Sequence, residues 1–255
     1  MSSLRLNSTQ IEQANTDGFL LLPNIRSLKD CETYLDRLTS YSRKEIGIKG
    51  NMYIQTEPKI ERGEINTEGD QIRKISGIAI HDPIFHDLVI TTTIIEAMKQ
   101  LMTPNLKLFR ADALMKPPFV GSAKGMHQDS PYWPIKPMEL WSCWMPFETA
   151  TLENGCMQVI PKSHKRGPLK HIKTTDDYIV TEDQYNPKET LAVPMNPGDG
   201  LFFHSLLLHS TSENKSEKSR RAITMSYMAS EYHYIGNTPK PNYLKICGID
   251  VLGGV

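Results

Sequence analysis

The stretch from Asn196 to Met228, NPGDGLFFHSLLLHSTSENKSEKSRRAITMSYM, decides how the chain is read. Its first five residues are turn formers, and the apolar run after them has strand composition. Residues 212–219 are polar and turn-prone, and a further strand begins at Arg220 and Arg221. The pattern reads as a hairpin that returns an arginine beside His209. His204 and His209 are five positions apart, so a regular strand sends them to opposite faces. His209 ends the run at the edge of a polar loop and is the candidate ligand. His204, at the start of the run, is expected to be a satisfied structural histidine.

Similar short runs fill the chain after Asn105: LKLFRADALMK, LWSCWMPFETA, GCMQVIP and TLAVPM, separated by Pro, Gly, Asn and Ser. The earlier part reads as helical with one strand. Ser8 can cap a helix to about Thr16, GFLLLPNI (18–25) is strand-like, Ser27 with Asp30 offers a capping box, and a third helix covers Thr92 to Met102. The fold class expected is mainly β with flanking helices, a double-sheet barrel or jelly roll. One domain is expected over 1–255, with a helical part at about 1–104 and a β core at about 105–230. Residues 48–72 are polar and aperiodic and read as a loop near a binding mouth, and the final VLGGV reads as a frayed tail.

Lys plus Arg equals Asp plus Glu, 29 against 29, which gives no reason to expect nucleic acid or an anionic membrane surface. A small molecule is the expected ligand. The four cysteines form no CxxC pair, no leader pattern opens the sequence, and no apolar segment approaches the roughly 20 residues of a membrane span. The expectation is a soluble, reduced, cytoplasmic protein; its oligomeric state is not readable.

A second stretch, GMHQDSPYW (125–133), places His127 and Asp129 at i and i+2, on one face of an extended backbone, where both could reach one ion. The plain alternative is an ordinary histidine hydrogen bond with Asp129 capping the turn before Pro131. With His209 as third ligand, two histidines and a carboxylate leave half of an octahedral iron(II) open, the facial triad of non-haem iron oxygenases. A 2-oxo acid could fill two open positions, oxygen the last, and Arg220 could grip the distal carboxylate. Two solvated arginines after a loop are the plain alternative.

With these residues in place, the chain resembles the phytanoyl-CoA dioxygenase family of iron(II)- and 2-oxoglutarate-dependent oxygenases. The resemblance runs through HQDSPYWP (127–134), ENGCMQVIPKSH (153–164), GDGLFFHSLLLHSTSENKS (198–216), DGFLLLPNI (17–25) and IRKISGIAIHDPIF (72–85), most of the chain. It implies a cupin-like double-stranded β-helix, with His127, Asp129 and His209 binding Fe(II) and Arg220 binding 2-oxoglutarate. It also implies cosubstrate contacts at Lys74, Trp144 and Thr211, with O2 as the other cosubstrate and ascorbate as a candidate stimulant. Read without the family, Lys74 is a solvated lysine and Trp144 a core aromatic.

Thr211 stands where the family often has serine and keeps the hydroxyl. Lys162 replaces a glycine common in its motif, which leaves the local loop conformation open, and the presence of Asp129 argues against a halogenase. Asn154 and Gly155 read as a turn without a catalytic role. KSHKRGPLKHIK (162–173) holds five Lys or Arg and could meet an acidic substrate group, although a solvated loop is the plain reading. Substrate is expected to enter near Tyr132, Trp133 and residues 48–72, with Tyr53 a further candidate; otherwise these aromatics pack the rim. The implied reaction is hydroxylation of a small molecule, such as a secondary metabolite, with release of succinate and CO2. The rivals are a catalytically silent metabolite-binding barrel and a zinc hydrolase using the same three ligands.

Overall fold

The computed structural model describes residues 4–255. Helices come first. α1 (Ser8–Asp17) and α2 (Leu28–Ser42) precede the short α3 (Pro58–Glu61), α4 (Ile78–His81) and α5 (Pro83–Val89), and α6 (Thr92–Leu101) ends the helical part. The capping box of Ser27 and Asp30 forms as the sequence indicates. α1 differs: its N-cap is Asn7, which exchanges side-chain and backbone hydrogen bonds with Gln10, and Ser8 is the first helical residue.

The larger sheet has the order β1 (Phe19–Leu22), β12 (Gly200–His204), β7 (Trp141–Pro146), β14 (Arg220–Ala229), β4 (Leu106–Lys116), β3 (Ile72–Ser76) and β2 (Tyr53–Thr56), with β16 (Leu244–Cys247) also on β4. The smaller sheet has the order β11 (Leu191–Val193), β8 (Met157–Val159), β13 (His209–Thr211) and β5 (Lys124–His127). Two two-stranded pairs complete the architecture: β9 (His171–Lys173) with β10 (Tyr178–Val180), and β6 (Ile135–Lys136) with β15 (His233–Tyr234). The result is a jelly roll whose larger sheet carries the helices on its outer face, the double-stranded β-helix architecture expected from the sequence.

Strand alternation sorts the side chains. On β14, Ile223, Met225 and Tyr227 join the helix-side core with Tyr34, Leu38 and Phe85. Arg220 and Thr224 point the other way and line a cavity between the sheets. β4 repeats the device, with Ala111 and Ala113 in the helix-side core and Arg110, Asp112, Leu114 and Lys116 toward the cavity. Because the larger sheet is covered on both faces, β7 is buried along its whole length.

Several expectations change. The run Gly200–Thr211 is two strands in different sheets, broken over Ser205–Leu208, so parity along one strand is not what separates His204 from His209. The break is stabilised locally, since the Leu206 N–H donates to His204 Nδ1 at 3.1 Å and the Leu207 N–H to the His204 carbonyl at 2.8 Å. β13 and β14 are likewise in different sheets, so residues 212–219 cross between sheets rather than closing a hairpin. The segment 48–72 contains β2 and α3 instead of a structureless loop. VLGGV does not fray: Val255 is buried, and its N–H donates to the Tyr232 carbonyl at 2.7 Å.

The Asn154–Gly155 turn is built as expected, with Asn154 Oδ1 accepting from the Thr151 N–H at 2.7 Å. Gly155 has φ +88°, and an added Cβ would lie 2.5 Å from the Ser212 carbonyl oxygen, next to β13. Gly155→Ala is therefore expected to destabilise the protein by about 2–4 kcal/mol, since left-handed strain and overpacking add. The urea midpoint at unchanged m-value measures it.

Candidate metal centre and cavity

β13 pairs antiparallel with β5 so that His209 and His127 are direct partners, and their rings lie 4.1 Å apart, centroid to centroid. Each imidazole is held by the backbone two residues earlier. His127 Nδ1 is 2.8 Å from the Gly125 carbonyl and His209 Nδ1 is 2.9 Å from the Leu207 carbonyl. A carbonyl can only accept, so both Nδ1 atoms carry the proton and both Nε2 lone pairs are free for an ion.

Asp129 completes the cluster by a different route from that expected. It sits in a helical turn (φ −79°, ψ −53°) leading into a 3-10 helix, not in extended backbone. The carbonyl of Ser205 fixes that turn by accepting from the N–H groups of Asp129 at 2.9 Å and Ser130 at 3.1 Å. The break in the apolar run thus supplies the carbonyls that orient both Asp129 and His209. Gln128 is fully buried and points away, donating to the Gly167 and Leu206 carbonyls at 2.9 and 2.8 Å.

The three residues are buried, and one ligand atom from each lies within 4.8 Å of the others. Among the described residues this is the single group of at least three His, Cys, Asp or Glu side chains so arranged. Two neutral imidazole nitrogens and a carboxylate oxygen are the donor set of a facial triad, and the residues present fit a divalent iron.

The cluster opens into a cavity of about 450 Å³. Arg220, Trp144, Thr211 and Lys74 all line it, so four residues far apart in sequence converge on one space. Arg220 is 2% exposed, contacts no carboxylate, and donates once, to the Leu114 carbonyl at 3.3 Å, while its Nε is buried without a partner. Its guanidinium lies 5.4 Å from the Trp144 ring centre, and the buried Trp144 Nε1 is also unpartnered. Burial pulls the Arg220 pKa down to about 10, which leaves it cationic at neutral pH. Lys74 is lowered by burial too, opposed by the charge of Asp112. Two unpartnered buried donors facing one cavity need an acceptor that the chain does not provide.

Tyr132 and Trp133 line the cavity, but Tyr53 is exposed and lies outside it, and Gln55 is the residue of segment 48–72 that reaches in. The basic stretch 162–173 contributes nothing to the lining. Lys162 takes φ +66°, the left-handed conformation that glycine suits, and its N–H donates to the carbonyl of Asp17 at the end of α1 at 2.8 Å. Sequence reasoning missed Arg110, Asp112 and Lys116, although their alternation along β4 could have revealed them. It also missed Asp177, which holds Lys124 at 2.6 Å and Arg73 at 3.2 Å and which no short motif signals.

Residues 14–222 match the phytanoyl-CoA dioxygenase (PhyH) family. The chain belongs to that family. As a phytanoyl-CoA dioxygenase family member it is an oxygenase-class enzyme, and it is 28% identical over 235 residues to a probable phytanoyl-CoA dioxygenase of Caenorhabditis elegans, covering 87% of this chain and 75% of that protein. It is 27% identical to the peroxisomal human phytanoyl-CoA dioxygenase, covering 86% and 67% respectively. Among solved structures it is similar in fold to EctD from S. alaskensis with 2-oxoglutarate and 5-hydroxyectoine (TM-score 0.78, 19% identity, 96% of this chain and 84% of that one). It is also similar to the carbocyclase SnoK from nogalamycin biosynthesis (TM-score 0.72, 20% identity, 90% and 86%). No helix among the described residues of this PhyH-family chain is long and apolar enough to cross a membrane.

Burial, the largest cause, lowers the pKa of His127 and His209 in the metal-free protein, and that of His204 falls to about 4. A depressed folded-state pKa means stability is complete above the unfolded value near 6.5 and is lost as pH falls toward the folded value. Each such imidazole contributes a slope of at most about 1.4 kcal/mol per pH unit. In chelator, unfolding free energy should fall steadily from pH 6.5 to pH 5, and His204→Gln should reduce the slope by about one proton. Denaturant titrations across that range check both.

Proposed function

We propose that the chain is an iron(II)- and 2-oxoglutarate-dependent dioxygenase that hydroxylates an unactivated C–H bond of a small molecule, with secondary metabolites the favoured class. One observation carries the reading: two imidazoles with Nδ1 committed to backbone carbonyls and a carboxylate, one ligand atom each within 4.8 Å, at the wall of a cavity whose buried arginine has no carboxylate partner. In this reading His127, Asp129 and His209 hold the metal, and Arg220 takes the distal carboxylate of 2-oxoglutarate through its paired donors. Trp144 Nε1 and the Thr211 hydroxyl supply further hydrogen bonds, and Lys74 adds positive charge on the same side.

When bound, iron(II) would supply the oxidising chemistry, in which O2 is consumed, one oxygen atom ending in the succinate formed with carbon dioxide from 2-oxoglutarate and the other in the hydroxylated substrate. The chain's own contribution is placement. Arg220, immobilised between β4 and Trp144, fixes one end of the cosubstrate without reorganisation. Met157, Phe203 and Leu114 give the cavity apolar wall and exclude water. Tyr132, Trp133 and Tyr178 shape the mouth, where the substrate's own form decides which carbon is presented.

Both parts of the chain line the cavity, with Gln55 and Lys74 from the first and the ligands from the second, which supports treating residues 1–255 as one oxygenase domain. We also infer a cytoplasmic setting, supported by four free cysteines. The fold likeness to EctD and SnoK supports small-molecule chemistry without selecting a substrate.

Anaerobic titration with iron(II) and 2-oxoglutarate should give the weak visible charge-transfer band of the chelate in wild type and none in His209→Ala. Arg220→Ala should weaken 2-oxoglutarate about tenfold to hundredfold, the loss of a charge-assisted hydrogen bond. Absence of the band in wild type sinks the proposal; retained zinc with hydrolysis would favour a zinc hydrolase, and 2-oxoglutarate binding without succinate release under any substrate a silent barrel. Trp144→Phe should cost about twofold to tenfold in 2-oxoglutarate affinity, and Thr211→Val should weaken binding where Thr211→Ser does not. Calorimetry on the Mn(II)-loaded protein measures all three.

A further inference from the structure

Arg110 is one of three arginines that line the cavity, with Arg73 and Arg220, and its surroundings differ from those of Arg220. Its guanidinium lies over the Trp133 ring at 4.8 Å, a stacked position that fixes the plane of its donors. Asp112 and Asp129 each approach it only to 3.7 Å, which is beyond hydrogen-bond distance. Its Nε is buried and without a partner. The side chain is 35% exposed, and the residue lines the cavity on the side of Tyr132 and Trp133.

Arg110 and Arg220 serve different ends of the cavity. Arg220 is the β-register partner of Lys116, and Arg110 lies six residues further along β4. At about 3.4 Å per residue their backbones are about 20 Å apart, so one short dicarboxylate held by Arg220 does not occupy Arg110 as well.

Charge gives the occupant's sign, and this step rests on the function proposed above. A divalent ion is matched by Asp129 and by the chelating carboxylate of 2-oxoglutarate, whose other carboxylate matches Arg220. Asp112 favours the charge of Lys74 while also lying 3.7 Å from Arg110, and the fully buried Glu57 is the anion that acts most on Lys116. Arg73 and Lys124 share Asp177. Arg110 has two carboxylates at 3.7 Å and is hydrogen-bonded to neither, and its Nε is unpartnered, so its donors face the cavity free.

We propose that Arg110 is the substrate-recognition residue of this enzyme and that the substrate carries a carboxylate, bound by the Arg110 guanidinium while its apolar part lies against Tyr132, Trp133 and Tyr178. A planar fork stacked on an indole matches a carboxylate with two parallel hydrogen bonds, and the aromatic wall beside it suits a hydrophobic body. The residue acts in binding and selection, not in the chemical step.

The test uses Mn(II)- and 2-oxoglutarate-loaded protein under nitrogen with benzoate, 3-phenylpropionate, indole-3-acetate and octanoate, each paired with its primary amide, and reads affinity by calorimetry. At least one acid should bind wild type about tenfold to hundredfold more tightly than its amide. Arg110→Gln should abolish that preference while 2-oxoglutarate affinity stays near wild type, and Arg110→Lys should keep part of it, because charge survives and the fork does not. Equal binding of acid and amide, a preference that persists in Arg110→Gln, or failure of every acid to bind at millimolar concentration overturns the assignment. Loss of Mn(II) and 2-oxoglutarate binding in wild type is a separate outcome, read before any acid is added, and it overturns the proposed function and this inference with it.

Discussion

The buried charge of Arg220 constrains the rest of the structure. A guanidinium that is 2% exposed with one backbone carbonyl for company is costly unless something else accepts its hydrogen bonds. Lys116, its partner across β4 and β14, is buried as well, and its own pKa is driven well down by burial and by Arg220. Two cations so close are tolerated because Glu57 is buried nearby and because Lys116 donates to the Ser122 carbonyl. Glu57 is held in turn by the N–H of Ser122 at 3.1 Å and by its hydroxyl. This part of the interior is therefore organised around positive charge that faces the cavity.

The opposite wall is organised by backbone. Both imidazoles take their orientation from carbonyls two residues earlier, and Asp129 takes its position from the carbonyl of Ser205. None of these contacts depends on a long or flexible side chain. Sheet register sets the distance between the histidines, and the break between β12 and β13 sets the aspartate beside them. His204, which resembles a ligand in sequence, serves that break through its Nδ1 and ring packing against Trp141 and His164. Local backbone bonding thus explains why one histidine of the pair faces the cavity and the other does not.

The strands were legible because their alternation is strong: LKLFRADALMK is β4 from its first residue to its last, and the capping box of Ser27 and Asp30 marks α2. His127, Asp129, His209 and Arg220 were legible through motif spacing, and Lys74, Trp144 and Thr211 through the family resemblance alone, yet two of the reasons differ from the structure. Arg220 reaches the cavity by a crossing between sheets, since the polar stretch 212–219 looks the same whether it closes a hairpin or changes sheet. Asp129 joins His127 through a helical turn, because Pro131 and the Ser205 carbonyl favour a 3-10 start over continued strand. Segment 48–72 hid a strand because β2 pairs only along one side, with β3, and needs little hydrophobic patterning. The C-terminal valine is held by contacts to Tyr232 and Lys107 that are distant in sequence, so composition could only suggest a tail.

The two ends of the cavity are held by different forces. β9 and β10 form an isolated two-stranded pair, an arrangement that is marginal in water without further support. Support comes from side chains: Asp177 with Lys124 and Arg73, Asp176 with Arg62 at 2.5 Å, and Tyr132 packed at a tilt against Tyr178 and edge-on against His171, with ring centres 5.0 and 4.7 Å apart. These join α3, β3 and β5 to one turn, across segments far apart in sequence. The Arg73–Asp177 pair is shielded from solvent, whereas Arg62 and Asp176 are each about a third exposed, as is Lys124 on its side of the other Asp177 pair, so salt weakens the Arg62 tie before the Arg73 one. Ordering of the mouth is therefore electrostatic and adjustable, while the metal-binding wall rests on register and backbone hydrogen bonds that ionic strength leaves alone. The hairpin that carries Asp176, Asp177 and Tyr178 and the wall that carries His127, Asp129 and His209 are thus held in place by different kinds of interaction.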